Sequence, residues 1–187
     1  MRKLTYYVGS SVDGFIAGPG GSIDFFPLTD DVMDDIATEF PETLPTHVRT
    51  SLGVERENKH FDTIIMGRAT YDPALVEGIT SPYSHLQQYV VSRTLTASPD
   101  PAVNITSDPT TTVRELKQGH GTGIWLAGGA KLTGTLLPEI DELIVKIYPV
   151  ALGSGIPLFD ADFTPTRLEL AASTRLDSGM TIMRYTR

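Results

Sequence analysis

The chain has 187 residues, 40% hydrophobic and 20% charged, with a formal net charge of −8 and no cysteine. That length suits one domain over residues 1–187 around a single core, and the charge opposes binding to nucleic acid or anionic membrane, whose phosphates need a surplus of Lys and Arg. Disulfides, thiolate nucleophiles, iron–sulfur clusters and Cys-based zinc sites are excluded outright, which fits a cytoplasmic setting.

The first segment, Met1 to Ser10, has two cations but no long apolar core, so it is a poor signal peptide, and nowhere do 18 apolar residues run together as a membrane span needs. Leu4 to Val8 alternates as an opening strand with Leu4, Tyr6 and Val8 on one face. Asp13-Gly14 and Gly18-Pro19-Gly20-Gly21 then mark two turns around a short apolar island, a glycine-bearing loop of the kind that covers sites; Asp13 itself reads as an Asx turn. Val32, Met33, Ile36, Ala37 and Phe40 form a helical stripe with Thr29 or Asp30 as N-cap and Pro41 as its end. Its aspartates suit the positive end of the helix dipole, so each has a structural explanation.

Residues 41–60 hold no clear period and read as loop with at most a short helix. Phe61 to Met66 is a β-branched apolar run, a buried strand, and Thr70 to Leu86 a Pro- and Gly-punctuated connection to a strand ending at Val91. Val103 to Thr106 is another strand. Thr112 to Gln118 reads as a two-turn helix with a capping box from Thr112 to Glu115 and a stop at Gly119. Trp125 lies in the next strand, and Leu132, Leu136 and Leu137 line a helix closed by Pro138. Asp141 to Val150 alternates as a strand with one partly solvated face. Leu168 to Ala172 and Met180 to Tyr185 form a hairpin through Asp177-Ser178-Gly179. The order predicts an α/β fold: a mostly parallel sheet with an antiparallel C-terminal hairpin at one edge.

Three strand ends carry the chemistry. Gly67-Arg68-Ala69-Thr70 follows the third strand: the glycine lets an anion approach the backbone, free N–H groups at the helix start point at it, and Arg68 adds a forked positive charge. Ser92-Arg93 follows the next strand, and Gly128-Gly129-Ala130-Lys131-Leu132 opens a helix after another. Together they suggest a dinucleotide site at one sheet edge. No G-x-G-x-x-G occurs, so no Rossmann fingerprint is invoked. His47, His60, His85 and His120 lack metal-ligand spacing and suit surface roles; no metal site is expected. Tyr6, Tyr7 and Trp125 fit a core.

Five blocks in order, Ser11 to Ala17, Met66 to Tyr71, Val90 to Arg93, Ala127 to Leu132 and Pro149 to Phe159, resemble the dihydrofolate reductase superfamily. They are most similar to small stand-alone relatives of the reductase half of the bifunctional riboflavin-biosynthesis enzyme. The resemblance implies a three-layer fold with a sheet of eight or nine strands and helices on both faces, and NADPH as cofactor. It assigns Gly67, Arg68 and Thr70 to the pyrophosphate and 2′-phosphate, and Ser92 and Arg93 to the adenosine ribose. Gly128, Gly129, Ala130, Lys131 and Leu132 would close over the pyrophosphate, with a cis peptide expected at Gly128-Gly129. The backbone near Ile16 and Ala17 would meet the carboxamide. Two arginines near one ribose independently favour NADPH over NADH.

Departures concern the substrate. Phe25 and Phe26 stand where true folate reductases carry tryptophan, and no Lys or Arg lies between Thr70 and Ser92 to clamp a folate carboxylate. The expectation is an NADPH-dependent reductase of a small heterocyclic or carbonyl- or imine-bearing metabolite, with Asp30 as proton donor. Asp31 and Asp34 are alternatives for the acidic position, and a helix cap is the competing role for Asp30. A binding protein without turnover is the rival reading. A ribosylated-pyrimidine reductase would need a phosphate site from Arg49, Arg56 or Lys59, for which a solvated loop is the simpler role. Homodimers are common among such relatives.

Overall fold

The computed structural model describes residues 1–54 and 56–187. In chain order the elements are β1 (Leu4–Ser10), β2 (Phe15–Ala17), α1 (Asp30–Glu39), α2 (Thr46–Ser51), β3 (Phe61–Gly67), α3 (Arg68–Val76), β4 (Gln87–Val91), β5 (Val103–Thr106), α4 (Pro109–Gln118), β6 (Gly123–Gly128), α5 (Ala130–Leu136), β7 (Glu142–Ile147), β8 (Ile156–Pro157), β9 (Glu169–Arg175) and β10 (Thr181–Thr186). The main sheet has eight strands in the order β5-β4-β3-β6-β1-β7-β10-β9, and β2 pairs with β8 apart from it. Strands β5 to β7 run parallel, and β10 and β9 are antiparallel.

Helices cover both faces, as buried parallel strands require. On one face Leu4, Tyr6, Leu126, Leu143 and Val145 meet Val113 of α4 and Leu132 and Leu136 of α5. On the other, Tyr7, Ile64, Met66, Val90 and Trp125 meet Phe40 and Tyr71 of α3, and Val32 and Ile36 of α1 pack with Tyr148 and Met180. This is the three-layer dihydrofolate reductase-like architecture expected.

Four local expectations are corrected. The connection expected from Thr70 begins as helix α3, which runs through Pro73 to Val76. Burial of Tyr71, whose hydroxyl donates to the Thr80 carbonyl, outweighs the backbone bond that Pro73 cannot make. Helix α4 starts one turn earlier than expected, with Pro109 at its first position and the Asp108 side chain capping Thr111 N–H at 3.1 Å. The alternation at 141–150 suggests one solvated face, but β7 lies between β1 and β10 with α1 above it, and Ile144, Lys146 and Tyr148 are buried. The glycine-bearing loop expected to hold only a local Asx turn at Asp13 is stitched down over a long range. Asp13 accepts from the backbone N–H groups of Leu152 (3.1 Å) and Gly153 (2.7 Å) as well as from Ser11 Oγ (2.6 Å), a far longer reach than an Asx turn.

Candidate active site

Strand register brings the three anion-binding turns together. Met66 pairs with Val90 and Gly67 with Val91, while Met66 also pairs with Gly128. The turns after β3, β4 and β6 therefore share the C-terminal edge of the sheet, where ligands bind in open α/β folds. A side chain at Gly67 would sit 3.5 Å from Gly128 O and Gly129 N, so the two glycine turns are in backbone contact. The Gly128-Gly129 peptide is cis, as expected.

Around that contact the cations are exposed. Arg68 lies at the first position of α3, whose N-cap Gly67 supplies no side-chain cap, leaving first-turn N–H groups for a ligand. Its guanidinium reaches Asp72 through Nε at 3.2 Å and Thr94 Oγ1 through Nη1 at 3.2 Å, so it bridges the β3 and β4 turns. Thr70 Oγ1 stands 4.0 Å from where a side chain at Gly129 would begin. Ser92 is buried, its Oγ accepting from Leu95 N–H at 2.9 Å, so this hydroxyl shapes the turn and presents Arg93, which is exposed. Lys131 is exposed, whereas the Leu132 and Ala130 side chains are buried, which leaves only their backbone to a ligand. Arg93 and Lys131 make no ion pair among the described residues.

Beside this edge, β1 ends at Ser10 and turns back through Ser11 into β2. Ser11 N–H donates to Phe15 O at 2.8 Å, which holds Ile16 and Ala17 over the end of β1. Gly155 is required here, because any side chain on it would meet Ala17 O at 2.2 Å. Below, Tyr148 packs against Gly9, and Phe26 packs on Tyr148 with ring centroids 4.8 Å apart, giving an aromatic wall where the second phenylalanine was expected to replace tryptophan.

The aspartates of α1 separate by environment. Asp30 is exposed in the first turn, and Asp34 is exposed one turn later. Asp31 accepts from Ser178 N–H at 2.8 Å and from Thr29, tying the helix to the C-terminal hairpin, and these bonds hold its carboxyl down at about 2. Asp35 turns inward: its Oδ2 is buried without a hydrogen-bond partner, and burial, then Glu39, raises its pKa while Lys146 opposes. Lys146 Nζ lies 4.2 Å from the centroid of the Tyr7 ring. Burial pushes this lysine down to about 8, against the pull of Asp35. Periodicity assigns Lys146 to a solvated face; the one available signal was a lysine inside an otherwise apolar run.

Two concavities lie away from this edge. One, of about 550 Å³, is at the opposite end of the sheet, lined by Arg2, His60, Phe61 and Gly123 among others. The other, of about 610 Å³, lies between α5 and residues 160–166. Neither includes Gly67, Arg68, Arg93 or Gly128, and the backbone approach and free cations make the C-terminal edge the stronger site. Of the histidines, His47 and His120 are exposed. His85 is half-buried, contacting Thr46 Oγ1 at 2.8 Å and Glu42 O at 2.9 Å, and His60 is half-buried against Phe40. No metal-holding cluster exists among the described residues. Arg49 is committed to its own loop, reaching Asn58 at 3.2 Å and the Arg56 carbonyl, and Lys59 faces Glu39 at 3.6 Å.

Residues 2–182 match the family model of the RibD C-terminal domain. "Uncharacterized protein YwjB" of Bacillus subtilis (strain 168) is 35% identical over 179 residues, covering 90% of this chain and 89% of that one. The fold is similar to a bifunctional diaminohydroxyphosphoribosylaminopyrimidine deaminase/5-amino-6-(5-phosphoribosylamino)uracil reductase of Thermotoga maritima, with TM-score 0.66 at 13% identity over 99% of this chain and 56% of that longer one. It is also similar to a pyrimidine reductase-like protein of Corynebacterium diphtheriae NCTC, with TM-score 0.63 at 15% identity over 99% of this chain and 91% of that one.

Proposed function

The chain belongs to the RibD C-terminal domain family, and from that premise we propose that it is an NADPH-dependent reductase of a small, unphosphorylated, pyrimidine-like heterocycle. The observation that carries the reading is the backbone contact of Gly67 with the Gly128-Gly129 peptide, flanked by the exposed cations Arg68, Arg93 and Lys131. A doubly charged pyrophosphate fits the glycine turns, where no Cβ blocks the backbone, and a ribose 2′-phosphate fits the arginines. Ile16 and Ala17 would then meet the nicotinamide carboxamide through their backbone. The cofactor supplies hydride; this chain's residues bind it, orient it and exclude water.

An unphosphorylated substrate is favoured because Arg49 is spent on its own loop and Lys59 faces Glu39, which leaves only Arg56 of the three cations a phosphate clamp would draw on. No Lys or Arg lies between Thr70 and Ser92, so a folate carboxylate would have no partner. Self-association belongs to the same proposal. All seven residues of the outermost strand β9 are exposed, and an uncovered edge strand presents unpaired backbone groups to a second copy. Sedimentation velocity reads this directly as one species or two.

The cofactor assignment is tested by fluorescence titration. Wild-type protein should bind NADPH more tightly than NADH. Arg68→Ala should weaken NADPH by roughly 10- to 100-fold, the loss of one charge-assisted phosphate contact, and leave NADH nearly unchanged. Equal affinities for the two nucleotides in both proteins would overturn it. Oxidation of bound NADPH on adding a panel of pyrimidines and cyclic imines separates a reductase from a nucleotide-binding protein without turnover.

A further inference from the structure

Three polar groups, two of them buried residues, converge on the α1 face of β1 and β7. Tyr7 Oη and Asp35 Oδ2 are buried with no hydrogen-bond partner, and Lys146, 9% exposed, places its ammonium 4.2 Å from the centroid of the Tyr7 ring. No carboxylate lies within 4.0 Å of that ammonium among the described residues. Buried polar atoms in folded proteins are paired in roughly nine cases of ten, so two unpaired oxygens beside a desolvated ammonium point to a missing polar partner. A purely structural lysine at this position would be better replaced by an apolar residue.

The cluster's place in the fold says what that partner is. Lys146 is in register with Gly9, one residue before the end of β1, and β2 folds back over that end. With NADPH held as proposed above, β2 would cover the nicotinamide. The cluster lies on the same strand pair, with Phe26 packed on Tyr148 just past the end of β7.

Resting on the reductase reading, we propose that Lys146 and Asp35 act together as the acid of the reaction: the Lys146 ammonium, positioned by Asp35 and the Tyr7 ring, delivers the proton that accompanies hydride, and Asp30 does not. Bound NADPH would supply a hydride, with its electron pair, to the electrophilic carbon of a C=N or C=O group. The π pair moves onto the heteroatom, which takes a proton from Nζ as that N–H bond breaks. The products are NADP⁺, the reduced C–H and heteroatom–H, and a neutral lysine. Solvent then reprotonates the amine by way of the half-buried Asp35.

The surroundings suit that task. Asp35 and, beyond it, Glu39 face the lysine from α1. Tyr7 faces it from β1, Tyr148 follows just past the end of β7, and Ile182 is its register partner on β10. Burial, then the Asp35 charge, pushes the Tyr7 hydroxyl up, with the nearby Thr43 hydroxyl opposing and Tyr148 and Glu42 adding to the rise. An ammonium lowered to about 8 is mostly charged at neutrality and gives up its proton far more readily than a surface lysine.

The test needs no substrate. Protein labelled with ¹³C at lysine Cε is titrated by NMR with NADPH or NADP⁺ bound, the Lys146→Met variant assigning the resonance. Lys146 should titrate near pH 8 and shift roughly one pH unit lower with NADP⁺ than with NADPH, because the oxidised ring carries a positive charge. Asp35→Asn should lower the midpoint further, and Asp30→Asn should leave it in place. Identical midpoints in the two complexes, or indifference to Asp35→Asn, would put the acid elsewhere while the reductase reading stands. A protein that binds neither nucleotide loses both.

Discussion

At the N-terminal ends of β1, β3 and β6 the sheet carries a buried arginine bonded across to β3 and β6; at the C-terminal ends of β3, β4 and β6 it carries exposed cations. Arg2 pairs with Asp62, donates to Thr63 Oγ1 at 2.7 Å and to the Thr122 carbonyl at 3.3 Å, and Asp62 in turn accepts from Thr122 N–H at 2.7 Å. At the other end Arg68 shares surface contacts with Asp72 and Thr94, and Arg93 and Lys131 have no ion pair among the described residues. The same side-chain chemistry thus takes two forms. A desolvated cation bonded through Nε and Nη2 fastens strands together, whereas the cations around the glycine turns stay solvated.

The sharpest way to break this contrast is Arg2→Met. Removing one member of a buried pair should cost about 3 kcal/mol, at the low end of the usual range because the Asp62 side chain is 37% exposed and recovers some hydration. Denaturant midpoints should show that loss while NADPH affinity, measured below the transition, is unchanged. A variant as stable as the parent would mean that Arg2 is no fastener, and the distinction between the two edges would fail.

The edge with the glycine turns and exposed cations was more legible in the sequence than the edge at Arg2, for a physical reason. Gly67-Arg68, Ser92-Arg93 and Gly128-Gly129 each announce a turn within a few adjacent residues, and the strands before them are apolar enough to be read locally. Arg2 with Asp62, Asp13 with Leu152 and Gly153, and Lys146 with Asp35 join segments far apart in the chain. Glu42 is the extreme case: with 0% exposure, its carboxylate accepts the N–H groups of His60 at 2.6 Å and Phe61 at 2.9 Å from within a stretch that has no period. Periodicity cannot see such pairings. It also misassigned the face of β7, because the cover over that strand comes from α1, more than a hundred residues earlier.

Lys146 belongs to neither class, being desolvated like Arg2 yet under-satisfied like Arg93, and this predicts an inverted response to mutation. Its folded pKa of about 8 lies below the unfolded value of roughly 10.4, so between those pH values the unfolded chain binds more protons and stability rises with pH. Below about pH 8 both states are charged and the full burial penalty is present. Lys146→Met should therefore stabilise the protein at pH 7 by about 1–3 kcal/mol, less whatever Asp35 loses with its counter-charge, and flatten the rise between pH 8 and 10. Denaturation series at pH 7 and pH 10 check both. A destabilised variant with an unchanged pH slope would return Lys146 to the fasteners.

The smallest expected effect tests whether Arg68 is held in reserve or already employed. Asp72 lies one turn along α3, and both side chains are nearly half exposed, so the pair adds at most about 0.5 kcal/mol to stability. Its Oδ1 nevertheless occupies Nε, a donor that a phosphate would use. Asp72→Ala should leave the melting behaviour alone while tightening NADPH roughly two- to five-fold, since the nucleotide no longer competes with a carboxylate and one negative charge is gone from its path. The gain should shrink as salt is raised, because the site is solvated. Weaker binding would show that Asp72 instead aims the guanidinium. Arg68 would then have to be regrouped with Arg2, as a cation whose position is fixed by the fold before any ligand arrives.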